Sequence, residues 1–352
     1  MIPDVLSGLE TLRTTERRVA MTTLVSATGS QARMIGARTF VGESGRIVGT
    51  VTIGGCVDAR AVEASDEVLA KGAPALITLA LADEEAWDLG LGCGGDATVL
   101  VEPVECLRDD DPVVAAYAAV RRAVTAGHRA VVVRVLDGGS RRLVLVEGGD
   151  VSGSLGDPSA DARAAALARG YDKDVASIVH DAPTGRDYFV EPFEPPVTAI
   201  VYGAGEVATA LSRIAHEIGV RVVIVDARER YATRERFPDA DDIRIGAPEA
   251  IAVELPATPN TCVVIVAHDY KYELPVLRHA LRAPVGYIGL LASRKRASAM
   301  RDFLSGEGFT PGELSRIHSP IGLDIGARSP AEIALAIAAE LVAVRSAERK
   351  RE

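Results

Sequence analysis

The sequence predicts an α/β protein in two parts, an N-terminal mixed α+β domain followed by a C-terminal doubly wound parallel sheet. Three observations point there. Short β-branched runs between glycine turns fill the first half, and strands alternate regularly with helical segments in the second. A proline-rich stretch, Asp181 to Pro196, separates the two patterns. The domains are therefore expected over residues 1–190 and 197–352, and a chain of 352 residues is long enough for each to bury its own core.

In the N-terminal part, strands are expected over Arg18–Ala27, Arg46–Ile53, Ala75–Leu81, Ala97–Val104, Ala130–Leu136 and Arg142–Val146. Helical spacing appears over Ala61–Gly72 and Pro112–Gly127, the latter with Asp111 as its cap and Pro112 in its first position. These elements predict one sheet with helices packed on it. The segment DAPTGRDYFVEPFEPP closes on prolines that lack the backbone donors of a helix or central strand, and it reads as the linker. Beyond it, strands are expected over Thr198–Val201, Arg221–Val225, Asp242–Ile245, Thr261–Ala267 and Val285–Leu291. Their continuous Val/Ile runs suit parallel strands buried on both faces, joined by right-handed crossovers.

The run AIVYGAGEVATAL, Ala199 to Leu211, reads as a strand, a tight turn and the start of a helix. Gly203, Gly205 and Ala208 stand in G-x-G-x-x-A spacing: the first glycine permits the turn, the second lets backbone approach a pyrophosphate, and the alanine allows close helix–strand packing. Helix amides and dipole would then face the phosphates. Asp226 closes the next strand, where an acid hydrogen-bonds a ribose hydroxyl and favours NAD over NADP. This is a Rossmann-like signature. Glu206, directly after the second glycine, brings negative charge to the same place, unless it is directed outwards or the ligand is not NAD.

Composition excludes several classes of function. A net charge of −10 and the lack of a basic stripe interleaved with aromatics oppose nucleic-acid binding. The first thirty residues do not read as a signal peptide, and no apolar run approaches the roughly 20 residues of a membrane span, so a cytoplasmic protein without a membrane partner is expected. The four cysteines have no C-x-x-C spacing, which fits free thiols in a reducing compartment. Neither G-x-S-x-G nor H-E-x-x-H is present, which lowers hydrolase and zinc-enzyme readings.

Two cysteines lie in glycine clusters, Cys56 after Gly54-Gly55 and Cys93 within Gly90-Leu91-Gly92-Cys93-Gly94-Gly95. Flanking glycines leave a thiol accessible as nucleophile, metal ligand or sulfur carrier, and the plain alternative is a tight turn with a small buried thiol. Cys106 and Cys262 adjoin apolar strands and read as packing residues. In the second part, His268 and Asp269, then Ser293, Arg294, Lys295 and Arg296, then His318 and Gly322 follow expected strands. The carboxyl ends of such strands face the ligand crevice, so these residues are candidates for cofactor binding alongside Gly203, Gly205 and Asp226. The final helical segment, Pro330 to Val344, carries apolar residues that would allow a homodimer.

Taken together, the chain resembles the XdhC/CoxI family, accessory proteins of molybdenum hydroxylases such as xanthine dehydrogenase and carbon monoxide dehydrogenase. The resemblance rests on Ala27 to Ala59 and Trp87 to Pro103 in the first part, and on YGAGEVA, RERYATRERFPDAD, YIGLLASRKR and HSPIGLDIGARSPAEIALAIAAELVA in the second. It implies binding of molybdenum cofactor, with or without an attached nucleotide, support for its sulfuration, and delivery to an apo molybdenum hydroxylase, in contact with a cysteine desulfurase. Cys93 would then touch the metal or its sulfur, with Cys56 second. The competing reading is an NAD(P)-dependent oxidoreductase using the Rossmann-like turn.

Overall fold

The computed structural model describes residues 3–28, 35–51, 56–80, 96–136, 139–267 and 269–348. The chain divides into two compact units, Met1–Pro195 and Pro196–Glu352.

The first unit contains two five-stranded antiparallel sheets rather than the single sheet expected. Strands β1 (Arg18–Ala27), β2 (Arg38–Gly42), β3 (Ile47–Thr50), β4 (Ala75–Ala80) and β5 (Asp96–Glu105) form one, in the order β3-β2-β1-β5-β4. Strands β6 (Ala130–Val135), β7 (Leu143–Val146), β8 (Val151–Gly153), β9 (Ser177–Asp181) and β10 (Arg186–Phe193) form the other, in the order β8-β7-β6-β10-β9. Helices α1 (Pro3–Arg13), α2 (Cys56–Lys71), α3 (Pro112–Thr125) and α4 (Pro158–Arg169) cover them. The Asp111 carboxylate accepts from the amides of Val113 and Val114, so the cap read from sequence starts α3. One core joins α3 to both sheets through Met21, Phe40, Val104, Val120, Val132 and Phe193.

The segment read as a linker is instead largely strand. β10 is interior to its sheet, bonded to β6 and β9. Pro192 is accommodated because the pairing with β9 ends at Val190–Ser177, leaving Pro192 opposite β6 alone.

Across this core runs a buried ionic network. Glu102 of β5 accepts from Arg134 of β6 and from Arg142, each at 2.5 Å, through one oxygen, Oε2. Arg38 of β2 reaches Glu191 of β10 and the Tyr117 hydroxyl of α3. Burial alone would lift the Glu102 carboxyl, but Arg142 and Arg134 hold it below its ordinary value.

In the second unit, β11 (Thr198–Tyr202), β12 (Arg221–Asp226), β13 (Asp242–Ile245), β14 (Thr261–Ile265), β15 (Tyr287–Leu290) and β16 (Ile317–His318) form a parallel sheet in the order β13-β12-β11-β14-β15-β16. Counted from β11 this is 3-2-1-4-5-6, the doubly wound order whose reversal between β11 and β14 opens a crevice at the carboxyl ends of the strands. Helices α5 (Glu206–Glu217) and α10 (Pro330–Glu348) pack on one face through Ala208, Leu211, Ala334, Ile337 and Leu341. The other face is covered by α6 (Pro248–Glu254), α7 (Tyr270–Arg282), α8 (Arg294–Gly306) and α9 (Pro311–Ser315). Among the described residues, no helix is long and apolar enough to cross a membrane.

Candidate functional site

The glycine turn adopts the geometry its spacing predicts. Gly203 directly follows β11 at φ +112°, and a Cβ there would lie 2.9 Å from the Ala267 amide nitrogen, so only glycine fits against the segment leaving β14. Gly205 is the N-cap of α5, without a side-chain cap bond, and the space in front of it is open to at least 4 Å. The first amides of α5 are therefore available to an external acceptor.

A cavity of about 610 Å³ opens there, lined by the turn, by Val225 to Arg228 at the end of β12, by Ile265 to Ala267 after β14, and by Asp269, Tyr272 and Glu273 of the following turn and helix. Tyr202, Tyr231, Pro248 and Pro330 complete much of the wall. A mostly apolar pocket with a few convergent polar groups, at the point where strand order reverses, has the form of a cofactor site.

Asp226 lines this cavity, yet its carboxylate is already engaged. Oδ2 accepts from the Ala204 amide at 2.7 Å and from Arg228 Nη2 at 2.7 Å, while Oδ1 accepts from the Arg228 amide at 2.8 Å and from Nε at 2.9 Å. Burial would raise its pKa, and the hydrogen bonds from Arg228 and the two amides reverse this and hold it below the usual value. Arg228 in turn lies over the ring of Tyr231, 4.2 Å from its centroid. Glu206 is exposed and paired with Arg236 Nη2 at 2.9 Å, and Arg236 is anchored on the carbonyls of Ala204 and Tyr231. The negative charge beside the turn, at a residue that lines the cavity, is thus exposed and offset by a cation.

On the opposite wall, Glu273 of α7 is 1% exposed. Its Oε2 accepts from Arg296 Nη2, whereas Oε1 is buried without a hydrogen-bond partner. Burial pushes the carboxyl up to about 6, against the pull of Arg296 and with a further push from the Asp269 charge.

The structure brings Gly203, Gly205, Asp226 and Asp269 together around the cavity. Ser293 caps α8, accepting from the Arg296 amide at 3.3 Å, and Arg294 and Lys295 occupy the exposed first turn of that helix, outside the lining. His318 and Gly322 meet elsewhere, on Glu340 of α10: His318 Nδ1 lies 3.0 Å from Oε1, and the Gly322 amide donates to Oε2 at 2.7 Å. Tyr287 donates to the same carboxylate and packs against the His318 ring with centroids 4.7 Å apart. Cys56 is the first residue of α2, its side chain lying outside the described set, as do Cys93 and His268 entirely. Cys106 and Cys262 are buried, and burial pushes the Cys106 thiol up to about 11, the behaviour of a packing residue. Among the described residues no cluster of three or more His, Cys, Asp or Glu is placed to hold a metal ion.

Sequence reasoning missed Arg228, Tyr231, Tyr272 and Glu273. Arg228 had a signal, because it lies two residues beyond Asp226 at the same strand end. Glu273 had none, since an acid in the first turn of a helix ordinarily reads as a solvated partner of the dipole.

Comparison with known proteins places this geometry. Residues 199–341 match the XdhC Rossmann domain, and residues 12–80 match the XdhC and CoxI family. The chain belongs to the XdhC/CoxI family. Among relatives of this XdhC/CoxI chain, a probable xanthine dehydrogenase subunit of Bacillus subtilis (strain 168) is 28% identical over 96% of each chain. The molybdenum cofactor insertion chaperone PaoD of Escherichia coli (strain K12) is 26% identical over 92% of this chain and 83% of its own length. A crystal structure described as a xanthine dehydrogenase from Bacillus halodurans superposes with a TM-score of 0.79 at 26% identity, covering 97% of this chain and 96% of that one.

Proposed function

We propose that this XdhC/CoxI protein binds molybdenum cofactor in the crevice of its Rossmann domain, supports the cofactor's sulfuration and delivers it to a xanthine dehydrogenase-type apo-hydroxylase. The carrying observation is the open N-terminus of α5 at Gly205, facing a cavity large enough for a phosphate-bearing heterocycle. The choice of cargo draws on the relative named as a molybdenum cofactor insertion chaperone, which aligns over 92% of this chain. The residues present fit such a group. The open amides at Gly205 suit its phosphate, the Arg228–Asp226 pair keeps the carboxylate beside them neutralised, and the unpartnered Glu273 oxygen gives the wall an acceptor.

When bound, the cofactor supplies molybdenum with its exchangeable sulfur ligand. The protein's part is to hold the phosphate end, exclude water from the heterocycle and present the metal to a thiol. Cys93, with Cys56 second, is the proposed thiol, since soft thiolate suits molybdenum or transferred sulfur. A cysteine desulfurase as sulfur donor, a dinucleotide form of the cofactor and a homodimer belong to the same proposal.

NAD(P) is the competing occupant. Asp226, the residue that would read the ribose hydroxyls, is saturated by Arg228 and two amides, which disfavours NAD in particular. The test is to purify the protein in the presence of excess cofactor, oxidise it and measure pterin fluorescence, with an NAD(P)H titration in parallel. Wild type is expected to retain pterin, Cys93→Ala less of it, and neither to turn over nicotinamide. Equal retention by Cys93→Ala would remove that thiol from the proposal, and tight NAD(P)H binding with turnover would replace the chaperone reading.

A further inference from the structure

Among the described residues two glutamates each bury an oxygen that has no partner, Glu102 and Glu273. Their surroundings differ in a way that matters. Glu102 sits inside the two-sheet core with two guanidinium groups on its other oxygen and is not among the residues lining the cavity. Glu273 lines the cavity and has one cation, Arg296, which is itself held over the Tyr270 ring at 4.5 Å. Asp269, the cap of α7, places a second negative charge nearby. Glu273 Oε1 is therefore left without a donor while a second carboxylate lies nearby.

A buried acceptor left unpaired costs about 1–3 kcal/mol, more when charged, so native structures keep such groups rarely and for a reason. A metal or phosphate does not supply the reason here: among the described residues Glu273 belongs to no group of three or more His, Cys, Asp or Glu placed to hold a metal ion, and the carboxylate repels an anion. What Oε1 lacks is a hydrogen-bond donor.

We propose that Glu273 recognises the amidine edge of a bound heterocycle, the adjacent ring N–H and exocyclic amine that pterin and guanine carry and adenine does not. Oε1 accepts one of these donors, and Oε2, which uses one lone pair on Arg296, has another for the second. The α5 N-terminus takes the phosphate of the same ligand, and Arg296 fixes the carboxylate. The inference rests on the reading of the crevice as a cofactor site and adds to it the residue that selects the ring.

The experiment measures equilibrium binding of three probes, 6-carboxypterin by fluorescence and GMP and AMP by calorimetry, to wild type, Glu273→Gln and Glu273→Leu. Thermal unfolding confirms that the variants are folded. AMP shares the phosphate of GMP and lacks the amidine edge, so the ratio of the two isolates the base. The expected result is a preference for GMP over AMP of roughly tenfold or more, abolished in both variants by a ten- to hundredfold loss for GMP with AMP little changed. Binding of pterin but not GMP through Glu273 assigns the edge to the pterin ring, and the reverse assigns it to an attached nucleotide. A GMP to AMP ratio near one without Glu273-dependent binding of pterin, or binding of GMP and pterin that are both indifferent to Glu273, overturns the proposal. Failure of all three probes in a protein that still retains molybdenum cofactor overturns it while leaving the accessory role intact. Glu273-dependent binding of GMP or pterin without cofactor retention sustains it and removes that role.

Discussion

Glu102 and Glu273 show how the same residue type is tuned in opposite directions by its neighbours. Arg142 and Arg134 overcome the burial of Glu102, so its folded-state pKa lies below the unfolded one. That contribution to stability is present above the ordinary carboxylate range and is lost as pH falls through the folded value. Glu102→Ala would leave two buried guanidinium groups uncompensated. Urea unfolding is expected to show a loss of about 3–5 kcal/mol. For Glu273 the sign reverses: its pKa rises from 4.5 to about 6, so the folded state holds the proton more tightly than the unfolded chain. Its favourable contribution is present below about 4.5 and is lost as pH rises to about 6, a change of about 2 kcal/mol. Stability measured against pH in wild type and Glu273→Gln isolates this term. The variant is expected to be the more stable above pH 6, and equal slopes between the two pH values would contradict the assignment. A carboxylate kept ionised at neutral pH against its own stability is what a binding residue tolerates and a packing residue does not.

At the scale of elements, the glycine turn separates folding from binding. Gly203 is required by backbone geometry, and Gly203→Ala, with positive φ and a Cβ 2.9 Å from the Ala267 nitrogen, is expected to cost about 1–3 kcal/mol in thermal unfolding. Gly205 has no such constraint. Gly205→Asp provides an N-cap carboxylate worth a few tenths of a kcal/mol, while placing negative charge where phosphate would bind. Its melting temperature should stay level or rise as affinity for phosphate-bearing ligands drops at least tenfold, read by calorimetry. The turn was legible in the sequence because it is local: strand, two glycines, alanine and helix follow one another within Ala199–Leu211. Asp111 and Pro112 announced α3 for the same reason. β10 was misread because a proline argues against an interior strand, and only the register shows that β9 has ended before Pro192. β16, at two residues, is too short to leave a pattern.

Across the whole molecule, the parallel order of the second unit was legible from buried Val/Ile runs, since strands covered on both faces carry that signal themselves. The division of the first unit into two sheets was not, because antiparallel partners are chosen by long-range pairing: β1 joins β5 across some 70 intervening residues. The candidate site divides along the same line. Gly203, Gly205 and Asp226 were found by spacing, whereas His318 and Gly322 turn out to share Glu340 on the helix that follows them, and Glu273 enters the crevice only through tertiary packing. The exposed Leu335 and Val342 of α10 leave an apolar surface on this unit, while Ile337 and Leu341 face its core.

The central claim is that the Rossmann crevice of this XdhC/CoxI protein carries molybdenum cofactor by its phosphate at the N-terminus of α5. The most direct measurement is the pterin content, after oxidation, of wild type and Gly205→Asp purified side by side with excess cofactor. The account predicts stoichiometric pterin in the wild type and little in the folded variant. Equal content in the two, or none in the wild type, would contradict it.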